Sequence, residues 1–135
     1  MRYSNFIIQQ DEYTYSANIQ FDIENDRKLA RFIPNETTID LLRNYFVDII
    51  REKSNIHSRI LYGSYGTGKS HFLTVLSLLL AKRHTTGIAY TTFLKRVRSY
   101  DKSLANDIDS FISNKNNKPY LIVPIVFDFN NFDRC

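Results

Sequence analysis

The stretch Gly63-Ser64-Tyr65-Gly66-Thr67-Gly68-Lys69-Ser70 satisfies every required position of the pattern G-x-x-x-x-G-K-[ST], the Walker A phosphate loop. Three of the four glycines of the chain fall inside these eight residues. Glycine lets backbone N–H groups turn inward around an anion without a Cβ clash, in dihedrals that include positive φ. A helix starting near Gly68 would aim its free N–H groups and the positive end of its dipole at the same anion. Lys69 would reach β- and γ-phosphate oxygens as a point charge, and Ser70 would offer a hydroxyl to a bridging magnesium ion. Tyr65 and Thr67 occupy variable positions and contribute mainly backbone, and Ser64 and Gly66 complete the nucleotide-binding loop.

Such a loop calls for a strand before it and a helix after it. The short apolar run Arg59-Ile60-Leu61-Tyr62 reads as a buried strand, and Ser70 to Arg83, apolar on nearly every side, reads as a helix packed against a sheet and closed by Thr85-Thr86-Gly87. Tyr120 to Phe129 is rich in apolar and β-branched residues and reads as a second buried strand. The expected fold class is therefore α/β, a partial P-loop NTPase-like domain over 54–135.

Residues 1–53 read as an extension built from strands and a helix. Tyr15, Ala17, Ile19, Phe21 and Ile23 alternate with polar residues, as in a half-buried strand, and Tyr3 to Ile8 is a candidate partner. Pro34-Asn35-Glu36-Thr37 carries helix-start chemistry, and Ile39, Leu42, Phe46, Ile49 and Ile50 then recur at three- and four-residue spacing, predicting an amphipathic helix over roughly 36–52. Further helical segments are expected around Phe93 to Tyr100 and Leu104 to Ile112.

Composition bounds the function classes. With 135 residues, 43% hydrophobic and 24% charged, the chain suits a folded domain, and its net charge of +4 is too small to hold it open as a disordered polymer. The longest apolar stretch, Phe72 to Ala81, is about half of what a bilayer requires, so no membrane span is expected. No signal-peptide apolar region develops at the N-terminus, and the expected location is the cytoplasm. A lone cysteine, Cys135, can form no internal disulfide. Charge is uneven: residues 1–58 hold 7 basic against 9 acidic side chains, and 59–135 hold 11 against 5, giving −2 and +6. A basic half suits an anionic partner, either nucleotide phosphates or a nucleic-acid backbone.

Hydrolysis would need a carboxylate that holds magnesium through water at the end of a buried strand. Asp128 closes the apolar run Leu121 to Phe127 and is the candidate, although Pro124 interrupts the run and no Glu follows it. His71, directly after the motif, belongs either to the nucleotide site or to the packing of the helix. Lys82, Arg83, Lys95, Arg96, Arg98 and Lys102, interleaved with Phe93 and Tyr100, form the densest basic stretch, a candidate DNA contact or a solvated helix face.

Phe32-Ile33-Pro34 before the 37–46 helix, followed by Gly63 to Ser70 and then His71-Phe72-Leu73, resembles the N-terminal segment of the large P-loop ATPases of bacterial phage-defence operons, the BREX-type (BrxC/PglY-like) group. The resemblance spans residues 30–81. It implies that Gly63, Gly66, Gly68, Lys69 and Ser70 bind ATP and magnesium, and that the parent protein acts on DNA with defence-system partners, with homo-oligomers forming where an arginine finger is supplied across a subunit boundary. Such ATPases are far longer, and only 66 residues follow Lys69. The expectation is thus the first part of a larger ATPase, lacking full hydrolytic machinery by itself. Two other readings stay open: a small P-loop nucleotide or nucleoside kinase, and a non-catalytic nucleotide- or DNA-binding adaptor. No guanine-reading Asn-Lys-x-Asp appears, which leaves ATP as the default nucleotide.

Overall fold

The computed structural model describes residues 25, 27–51, 58–64 and 66–125. A short helix α1 (Arg27–Ala30) leads to α2 (Glu36–Leu42), which runs without a break through a π-helical turn (Arg43–Val47) into α3 (Asp48–Ile50). After an irregular segment and the glycine loop come α4 (Lys69–Leu80), α5 (Ile88–Tyr100) and α6 (Lys102–Ser113). Among the described residues there is no strand and no sheet.

The expected α/β class is therefore corrected: these residues form a helical assembly. Arg59 to Tyr62 and residues 120–125 carry no regular secondary structure, and neither joins a ladder among the described residues. Both were expected to be buried, and their burial alternates instead. Leu61 and Ile122 pack on the core, whereas Ile60 and Tyr62 are 85% and 88% exposed and Leu121 is 89% exposed. A short apolar run signals burial without saying what buries it or on how many faces. Here the helices supply one covering face only. The strand readings for Tyr3 to Ile8, for 15–23 and for 126–129 lie outside the described residues.

The core is built by the helices themselves. Leu29, Phe32, Ile39, Leu42 and Phe46 from the first half share one cluster with Val75, Leu78, Leu79, Phe93, Val97, Leu104, Ile108 and Phe111. Residues on both sides of position 53 thus contribute to a common interior. The α5 helix packs against α6 and α1, and α1 also touches α4. Phe46 meets Phe111 edge-on at 5.5 Å between ring centres. The buried Thr74 hydroxyl donates to the Ser70 carbonyl at 2.9 Å, so α4 carries this polar group inside without an unmet donor.

Local chemistry explains the helix ends. Asn35 caps α2 by accepting from the Thr38 N–H at 2.9 Å, while the Thr38 hydroxyl accepts from the Asn35 N–H at 2.8 Å, a reciprocal capping box. Periodicity predicted one uniform helix over 36–52; the π turn at Arg43–Val47 takes an extra residue and re-phases the face, so Phe46 and Val47 are both buried. The stop expected at Thr85-Thr86-Gly87 comes earlier. Lys82 adopts φ of 51° just past α4, with Lys82 N–H on the Leu79 carbonyl and Arg83 N–H on the Leu78 carbonyl, the bonding of a Schellman cap. Gly87 instead opens α5. Asp101 caps α6 by accepting from the Leu104 N–H at 3.0 Å and pairs with Arg43 of the π turn. No described helix is long and apolar enough to cross a membrane.

Candidate functional site

The glycine loop joins an anchored irregular segment to the start of α4. Before the loop, the Arg59 guanidinium pairs with Asp48 and lies 5.0 Å from the Tyr45 ring centre, and Tyr45 packs edge-on against Phe72 of α4 at 5.7 Å. Tyr45, Asp48 and Arg59 thus fix where the chain arrives relative to where α4 departs. Sequence reasoning missed this set, because two of its members lie across the 52–57 segment from the third and no spacing rule links them.

Gly66 has φ of 80° and Gly68 has φ of 82° with ψ of 11°. An L residue in this left-handed conformation brings Cβ against its own carbonyl, which is why the chain reverses here on glycine. Gly68 also serves as the N-cap of α4, and with no side chain it leaves the first-turn N–H groups uncapped. The first intrahelical bond runs from the Phe72 N–H to the Gly68 carbonyl, so the N–H groups of Lys69, Ser70 and His71 are those the helix itself does not use.

Lys69 curls back over the loop. Its ammonium donates to the Gly63 carbonyl at 2.7 Å, to the Ser64 carbonyl, and to the Thr67 hydroxyl at 3.2 Å; Thr67 in turn donates to the Ser64 carbonyl at 2.9 Å. A cation and the uncapped, dipole-positive start of a helix therefore lie beside one another at one exposed loop. Ser70 is exposed in the first turn of α4. One hard hydroxyl oxygen fits magnesium, which keeps most of its shell as water and substrate phosphate and takes few protein ligands.

The remaining candidates are distributed as follows. Gly63, Ser64, Gly66, Thr67, Gly68, Lys69 and Ser70 form the loop, while Tyr65 and Asp128 lie outside the described residues. Among the described residues no group of three or more His, Cys, Asp or Glu side chains could hold a metal ion. His71 is half-buried, with Nε2 2.9 Å from the Lys28 carbonyl and its ring edge-on to Phe32. Because a carbonyl only accepts, Nε2 carries the proton.

The basic stretch divides. Lys82 donates to the Asn114 carbonyl at 2.9 Å and stands 4.8 Å from the Phe111 ring centre, closing the end of α6. Arg96 donates to the Ala30 and Phe32 carbonyls. Both are committed to the fold. Arg83, Lys95, Arg98 and Lys102 are exposed, with Lys95 and Arg98 on one face of α5.

No family model, curated protein or solved structure matches the chain. A functional assignment accordingly rests on the loop and its chemistry.

Proposed function

We propose that this chain binds a nucleoside triphosphate with magnesium through the Gly63–Ser70 loop, ATP being the default nucleotide. The observation that carries this reading is the Lys69 ammonium folded over the loop oxygens beside the uncapped start of α4. Phosphate oxygens entering the loop would meet that ammonium and the first-turn N–H groups together. Charge-assisted hydrogen bonds of this type are roughly twice as strong as neutral ones. Of the two flanking elements that the motif calls for, the helix follows the loop and no strand precedes it among the described residues, so the reading rests on the backbone N–H groups and the helix end alone.

The broader setting is proposed on the same footing. The resemblance over residues 30–81 supports membership of the BREX-type ATPases, action in the cytoplasm within a larger ATPase, and work on DNA beside defence-system proteins or further copies of the chain. Direct DNA contact would fall to Lys95, Arg98 and Lys102 rather than to Lys82 and Arg96. It would weaken steeply with salt.

The test is magnesium-dependent binding of fluorescent ATP and GTP analogues to the chain and to Lys69→Ala, with turnover followed in the same samples. Saturable binding lost in Lys69→Ala is the expected result. Equal binding by both proteins would overturn the proposal.

A further inference from the structure

Helix α1 has four residues, far fewer than a helix needs to persist alone in water. It is held by the fully buried Leu29 and by bonds to its carbonyls. His71 takes the Lys28 carbonyl, and Arg96 takes those of Ala30 and Phe32. The two acceptors of Arg96 lie at and just past the C-terminal end of α1, where carbonyls lack intrahelical partners and a cation is favoured by the helix dipole. The Phe32 ring completes the joint, standing 5.9 Å from His71 and 5.6 Å from Phe93 between ring centres.

One of these two clips stands inside the proposed phosphate site. His71 follows Ser70 in the first turn of α4, and its backbone N–H is among those left for an anion. Its side chain ends on α1. The first turn that must be ordered to hold phosphate is thus the turn that carries the clip.

We infer that His71 is a positioning residue that couples occupancy of the phosphate loop to the docking of residues 27–34. The inference rests on the nucleotide-binding reading and deepens it by naming how the site is regulated. A bound polyphosphate orders the first turn of α4, which holds the His71 side chain on the Lys28 carbonyl and tightens α1. Docked α1 in turn holds that turn ready for phosphate. Linkage makes the two effects equal: the factor by which nucleotide favours docking is the factor by which docking favours nucleotide. Couplings of this kind commonly amount to about 5-fold or more.

The experiment is amide hydrogen exchange with and without magnesium and a non-hydrolysable ATP analogue, alongside the dissociation constant, for the full chain, His71→Ala, His71→Gln and Lys69→Ala. The reporters are the Arg31 and Phe32 amides, which bond to the Arg27 and Leu29 carbonyls at 3.0 and 3.2 Å. Nucleotide is expected to slow their exchange about 5-fold in the unsubstituted chain. In His71→Ala that slowing disappears and the dissociation constant rises by about the same factor, while the α5 and α6 amides keep their protection. Glutamine carries an amide N–H that can reach the Lys28 carbonyl, so His71→Gln restores most of both effects. Lys69→Ala loses binding, and the slowing with it.

Nucleotide binding without slowing at Arg31 and Phe32, or full slowing and affinity in His71→Ala, would overturn the coupling and leave the phosphate-loop reading standing. Absence of binding by the unsubstituted chain would remove that reading, and the coupling with it.

Discussion

Gly68→Ala isolates the backbone conformation on which the proposed site depends. Gly68 sits at φ of 82° and ψ of 11°, and a Cβ added there meets no atom within 4 Å. The substitution therefore creates no clash, and its cost is the left-handed conformation itself, about 1–2 kcal/mol for an L residue. That cost must appear somewhere. If the nucleotide-free loop keeps its shape, the chain loses about 1–2 kcal/mol of folding stability and binds as before. If the exposed loop relaxes when empty, stability hardly changes, and the strain returns on binding as a roughly 5- to 30-fold weaker dissociation constant. Urea unfolding of the nucleotide-free protein and titration with a magnesium–ATP analogue measure the two shares, whose sum is predicted to be about 1–2 kcal/mol. Asparagine tolerates this region better, so Gly68→Asn should lose less than Gly68→Ala. A summed loss below about 0.5 kcal/mol for alanine, or an asparagine variant as impaired as the alanine one, would refute the reasoning.

Asp101→Ala removes both the cap of α6 and the partner of Arg43. Arg43 is 52% exposed, so most of the expected loss of about 1–2 kcal/mol comes from the cap, and Arg43→Met should cost less than about 1 kcal/mol in the same urea assay. The alternating burial of the segment before the loop predicts that Leu61→Ala destabilises by about 1–2 kcal/mol, whereas Tyr62→Ser stays within about 0.5 kcal/mol. A buried strand would make both costly. Burial first, then the Asp109 carboxylate that accepts the Tyr90 hydroxyl at 3.2 Å, pushes the Tyr90 phenol well above its usual range. An unfolded tyrosine loses its proton near pH 10 while folded Tyr90 keeps it, so the unfolded state binds fewer protons and stability falls as pH rises from about 10. Tyr90→Phe should show a shallower fall over that window.

The glycine turn and helices α2 and α4 to α6 were legible in the sequence because their signals are local, whereas the four-residue α1 and the π turn carry no such signal. Gly66, Gly68 and Lys69 are tied by spacing alone, Asn35 caps its helix through a residue three positions on, and Leu104 and Ile108 recur at helical period. The sheet was misread because Ile60, Leu61 and Tyr62, like Leu121 to Val123, carry an apolar pattern that reports a need for burial and not its geometry. The structure half-buries Leu61 and Ile122 against the helical core and leaves Ile60, Tyr62 and Leu121 open. The division of the basic residues was illegible for a related reason. Lys82 and Arg96 look like any exposed cation in sequence, and only the positions of Asn114, Ala30 and Phe32 reveal that their charges serve helix ends. The bond of His71 to a carbonyl 43 positions away has no sequence signature, so spacing alone does not decide between the nucleotide site and helix packing.

The central claim is that the Gly63–Ser70 loop holds phosphate. Its most direct test is titration of the isotopically labelled chain with inorganic triphosphate and magnesium, reading backbone amide shifts by NMR. The account predicts saturable shifts concentrated at Gly66, Thr67, Gly68, Lys69 and Ser70, abolished in Lys69→Ala. Shifts spread over exposed lysines and arginines and unchanged by that substitution would contradict it.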